Sequence, residues 1–213
     1  MTGGRRRPGR GRFLRLHLRA RHTLLVGAGV VATALLAWVA ADWLVSRPNS
    51  PAATERWPVA AVAPVLGAVL VSVGFAGTDE ELERAAAVRW RLIRLCHLAL
   101  ATLVVAVALA LTGLWAPRTY GAFELVRNTV AAVGAVALAT AVLGARLAWV
   151  PVAPYPLVIM VVGPLRPEMA WLSWPVQPWE GRPLAVWSAV VLLVLGGGAY
   201  TWRGARPVRS AGW

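Results

Sequence analysis

Four polar side chains stand where the surrounding residues call for hydrocarbon. Asp42 lies near the end of the first apolar stretch, and Glu124, Arg127 and Asn128 open the fourth. Glu124 and Arg127 are one helical turn apart, a spacing at which a carboxylate and a guanidinium can meet on one face. Ionisable groups within apolar segments are expensive. They mark ion or substrate routes, unless they are end residues reaching back to water. Two readings stand: a local Glu124–Arg127 pair with snorkelling ends, or an outward-facing polar vestibule built by Asp42, Glu124, Arg127 and Asn128. A second group, Glu83, Arg84, Arg91 and Arg94, shares the charged side of an amphipathic stretch over 78–94. That face suits docking to a cytoplasmic partner, and it equally suits a helix lying on a membrane surface.

The constellations that would carry catalysis are missing. The chain has no GxxxxGK[ST] phosphate loop, no HExxH zinc pair and no GxSxG nucleophile turn. Its three histidines, His17, His22 and His97, are too dispersed for a metal triad, and Cys96 is the single cysteine, which excludes an internal disulfide. Glu80-Glu81-Leu82-Glu83-Arg84 resembles the EExxxR motif of membrane-embedded prenyl-type proteases. The arginine comes one residue early, however, and no FxxxH follows in a later apolar stretch. The expectation is a protein without catalytic residues, cofactor or metal, and not an enzyme.

The elements that position these residues are six apolar stretches, at 23–45, 57–76, 95–115, 125–146, 147–165 and 184–202. A hydrocarbon core about 30 Å thick needs about 20 helical residues. Hydrophobic residues make up 58% of the 213, and little chain remains outside these stretches. The expected fold class is therefore all-α: a polytopic membrane helical bundle of about six transmembrane helices in a cell membrane. The fifth stretch is the weakest, because Pro151, Pro154 and Pro156 each remove a backbone donor. Val39-Ala40-Ala41 before Asp42 would pass as a signal-peptide cleavage site, but the apolar run ahead of it exceeds a typical signal core, so an uncleaved first helix is expected.

Orientation follows from arginine. All 22 basic residues are arginine, and the formal charge is +13. Sixteen fall in the tail 1–22, the 78–94 loop, the turn at Arg146 and the tail 203–213; six fall in the alternate connections. Basic flanks belong on the cytoplasmic side, so both termini are expected there. The same distribution argues for the lipid bilayer as partner and against nucleic acid. Trp57, Trp115, Trp149, Trp187 and Trp202 sit at stretch ends, as interfacial indoles do. The Arg, Ala, Gly, Val and Trp bias is that of a GC-rich genome of actinobacterial type.

Three short segments complete the layout. Residues 12–22 are basic and partly apolar, suiting a surface helix ahead of the first span. In 78–94, Thr78 and Glu81 form a capping box, acidic residues sit at the helix start and arginines at its end. Residues 166–183 carry Trp171, Trp174 and Trp179 among Pro167, Pro175 and Pro178, and suit a segment that dips into the outer interface.

This arrangement resembles the permease subunits of type-2 ABC exporters: cytoplasmic termini, six spans, an amphipathic N-terminal helix, a coupling helix between spans two and three, and a re-entrant outer segment between spans five and six. The chain also looks like the small Ala/Val/Leu/Arg-rich integral membrane proteins of actinobacteria. The resemblance implies a permease-like subunit of an ABC-type export system, working as a homodimer or heterodimer with a separate cytoplasmic ATPase that docks on 78–94. The alternative from another class is a non-transporting membrane scaffold, immunity or regulatory protein.

Overall fold

The computed structural model describes residues 23–47, 56–75, 90–114, 120–162, 172–177 and 183–206. Among the described residues there is helix and turn and no strand. The helices are α1 (Thr23–Val45), α2 (Trp57–Ser72, tightening to a 3-10 turn at Val73–Phe75), α3 (Trp90–Thr112), α4 (Ala122–Leu143), α5 (Trp149–Val152), α6 (Tyr155–Val162) and α7 (Pro183–Arg203). A 3-10 turn at Trp174–Val176 precedes α7.

Five of these helices, α1, α2, α3, α4 and α7, are long and apolar enough to cross a bilayer. The fifth expected span, 147–165, is not a continuous helix. It divides into four-residue α5 and eight-residue α6, with a bend at Ala153 and Pro154. The cause is local: Pro151, Pro154 and Pro156 remove three backbone N–H groups within six residues, and each proline ring crowds the carbonyl four residues before it. α3 is described from Trp90, ahead of the expected 95, so Arg91 and Arg94 lie on the long helix.

Midway along α4, Ala131 clusters with Trp174 and with Ala185 and Ala189 in the first two turns of α7. Near their ends, Arg206 donates to the Thr140 carbonyl through its backbone N–H at 3.2 Å and to the Val142 carbonyl through its guanidinium at 3.0 Å. α4 and α7 thus run parallel. Among the described residues the bundle is made of five long helices and one broken segment.

α4 is the centre. In its most apolar eighteen residues 72% are buried, against 22% for α3. It crosses α7 with the backbones touching: a Cβ on Gly196 would stand 1.8 Å from the Gly134 carbonyl oxygen. Two glycines let the helices approach to a distance that any side chain would prevent, the usual way helices associate where no hydrophobic force drives them together. Val65, Ala68, Val133, Val136 and Leu109 fill the remaining core. At the end of the bundle that holds the end of α2, Tyr200 donates to the Phe75 carbonyl at 3.2 Å and packs on the Phe75 ring, while His97 meets that ring edge-on.

Candidate functional site

The opposite end of the bundle holds a cluster of buried polar groups. Arg56, Glu124, Arg127, Asn128, Ser173 and Gln177 are all buried. α4 supplies three of them from its first two turns, and the segment 172–177 is folded onto them.

Asn128 is fully enclosed, and its amide makes two donations: to the Ala60 carbonyl at 2.6 Å and to the Pro175 carbonyl at 2.8 Å. The first has a clear origin in the sequence of α2. In an α-helix the Ala60 carbonyl would accept from the N–H of residue 64, but residue 64 is Pro64, inside the helix and without an N–H. Asn128 supplies from α4 the donor that proline withholds from α2. Its side-chain oxygen accepts from Arg127 Nε at 3.0 Å, which orients the amide.

The segment 172–177 is held almost wholly through its backbone. Tyr155 donates to the Leu172 carbonyl, Arg127 to that of Trp174 at 2.9 Å, Asn128 to that of Pro175, and Tyr120 to that of Val176 at 3.0 Å. The Ser173 carbonyl accepts from the Val176 N–H. Five successive carbonyls of an irregular stretch are therefore each matched by a donor. Non-helical backbone is tolerated away from water only when its polar groups are satisfied in this way. Tyr120 reaches its partner from a backbone with φ 53°, a conformation that costs a non-glycine residue energy and that this hydrogen bond helps to hold. Trp174 is stacked on Tyr155 at 6.0 Å between ring centroids.

Of the four residues of the proposed vestibule, the structure brings three together. Glu124, Arg127 and Asn128 are enclosed within one cluster, with Glu124 close enough to act electrostatically on Arg127. Asp42 is exposed and acts instead on Arg56, whose pKa is lowered by burial and drawn back up by the Asp42 charge. Arg127 and Asn128 are turned onto backbone carbonyls. The group is a clasp closing on 172–177. Tyr120, Tyr155 and Ala60 had no place in the sequence reading, although Pro64 within an apolar stretch was a signal that some carbonyl needed a foreign donor.

Of the four docking residues, Glu83 and Arg84 lie outside the described residues. Arg91 sits with its guanidinium 3.9 Å over the Trp202 ring, and Arg94 packs where a side chain on Gly204 would stand, 2.7 Å from its guanidinium carbon. Gly204 has φ +77°, so both backbone and space call for glycine there. Both arginines are thus engaged with α7 and the residue after it. Most of 78–94, all of 12–22 and most of 166–183 lie outside the described residues. Among the described residues no group of three or more His, Cys, Asp or Glu could hold a metal ion. No protein family, curated protein or solved structure matches the chain.

Proposed function

We propose that the protein is a multi-pass integral protein of the cell membrane with both termini cytoplasmic, and that it serves as the permease-like transmembrane subunit of an ABC-type export system powered by a separate ATPase. One observation carries the membrane reading: the apolar side chains of the outer helices point outward. Leu24, Leu25 and Leu36 on α1, and Leu100, Leu103 and Leu111 on α3, are 55% exposed or more. A water-soluble bundle turns such residues inward, and contiguous apolar surface of this extent marks contact with lipid or protein. The transport reading is supported by the arrangement: five long helices and one broken segment, with 172–177 folded back onto the bundle ahead of α7.

The non-transporting reading, a scaffold or regulator, has its own support. Arg91 and Arg94, half of the proposed docking face, pack against this chain's own α7 end. Copurification from native membrane separates the two. A permease subunit brings down an ATPase, and replacing Glu83 and Arg84 by Ala releases it without lowering the amount of inserted protein. Recovery of the intact protein without any ATPase refutes the export reading and leaves the scaffold. Release of the protein from membranes by alkaline carbonate refutes both.

A further inference from the structure

A cavity of about 590 Å³ lies between α4, α7 and the broken segment α5–α6. Its floor includes Val65, Ala132 and Ala139, and its rim includes the half-exposed Val142, Leu143 and Val191. Leu172 and Trp174 of the clasped segment close one end.

We propose that this cavity holds one acyl chain of a membrane phospholipid; the proposal rests on the membrane reading above. The wall chemistry selects the occupant. Its two hydroxyls have already donated their protons, Tyr155 to the Leu172 carbonyl and Ser188 to the Leu184 carbonyl. Water in a cavity needs two to four polar partners, and this wall offers it no free hydroxyl proton. A peptide segment would bring amides that this wall cannot satisfy. An empty space of this size would forfeit dispersion contacts along its entire lining. Hydrocarbon satisfies all three conditions, and 590 Å³ falls in the range of sites that enclose small ligands, roughly 300–1,000 Å³.

The depth fits a single leaflet. The α4 lining runs from Ala132 to Leu143, eleven residue steps, or about 16 Å at 1.5 Å each. That is roughly half of a hydrocarbon core about 30 Å thick. It covers the half of α4 nearer the Phe75–Tyr200 end, the cytoplasmic half in the proposed orientation. The break at Ala153 and Pro154 makes α5 and α6 two short walls, with Pro151, Val152 and Tyr155 facing the space. A lipid whose headgroup stays at the cytoplasmic surface would extend a chain past Leu143 towards Trp174.

The test uses the full-length protein in vesicles of phosphatidylethanolamine and phosphatidylglycerol, with a phosphatidylglycerol bearing a diazirine midway along one acyl chain. After irradiation, adducts are mapped by peptide mass spectrometry. Adducts on 132–143 and 188–192 should exceed those on the lipid-facing sides of α1 and α3 about tenfold. Ala139→Trp fills the floor and should abolish this excess. Val191→Trp fills the space from a rim that is 49% exposed, where the fold can accommodate it, and should do the same. Leu103→Trp, on the outward side of α3, should leave the excess unchanged. Even labelling on all lipid-facing helices, or an excess that survives both Ala139→Trp and Val191→Trp, overturns the pocket while the membrane reading stands. Extraction of the protein by alkaline carbonate before irradiation overturns the membrane reading itself, and the pocket with it.

Discussion

Replacing Asn128 by Ala removes three hydrogen bonds, and the partner it abandons most completely is the Ala60 carbonyl. Polar contacts between membrane helices average about 0.6 kcal/mol each, so the three together are worth about 2 kcal/mol. An orphaned buried carbonyl costs a further 1 kcal/mol or so, because Pro64 has no N–H to offer it. The expected loss is about 3 kcal/mol, roughly a hundredfold in the folding equilibrium. Unfolding by sodium dodecyl sulfate in mixed micelles, followed by tryptophan fluorescence, measures it. The stronger version is a double-mutant cycle. Pro64→Ala restores an N–H at residue 64 and lets α2 satisfy Ala60 by itself. In that background Asn128→Ala should cost about 1 kcal/mol less than in the parent, well outside the 0.3–0.5 kcal/mol within which independent sites add. Strict additivity would refute the claim that Asn128 substitutes for the donor missing from α2.

The helix crossing and the clasp make further claims. Gly196→Leu should destabilise the protein by about 3 kcal/mol or more, since α4 and α7 must separate to admit a side chain. Gly198→Leu, which meets nothing within 4 Å, should be nearly silent in the same unfolding assay. Arg127→Leu should expose 172–177 to proteolysis in vesicles, whereas Arg127→Lys, which keeps a donor but loses the fork, should show an intermediate cleavage rate. Reporter fusions at Ser50 and Gly181 should read outside, and those at Ala86 and after Arg206 inside; an outside signal after Arg206 would contradict a return of the chain between α4 and α7.

Hydropathy alone placed α1 as one long helix ending near Val45, because length and apolarity are local properties. The ends of α3 were harder. The helix includes Trp90, Arg91 and Arg94, since charge ends an apolar stretch without ending a helix. Pro151, Pro154 and Pro156 marked 147–165 as the weakest stretch but left open whether it was continuous or broken. The contacts that matter most at the clasp were not legible. Asn128 meets a carbonyl 68 residues away in sequence, and Gly134 meets Gly196 across 62. Neither pair shares a local period, and on helices that are apolar all round no stripe shows which face is inward. The placement of Glu124, Arg127 and Asn128 on one stretch was readable; whether they opened to water or closed on backbone depended on 172–177, whose route no pattern reveals.

The parallel pairing of α4 and α7 has a consequence for the order of synthesis. The ribosome delivers α4, with its arginine and asparagine, about forty residues before the helix that packs against its glycine, and about thirty before the Trp174 carbonyl that Arg127 serves. In the membrane setting proposed above, α4 is during that interval the helix least fit to meet lipid alone. It must wait beside α2 and α3, where Ala60 already offers Asn128 a partner, until the later segments emerge. The first four helices then form a half-finished vessel, and the proline-broken return is its latch. In that setting a ribosome stalled before Trp174 would leave Arg127 among acyl chains without the carbonyl it serves.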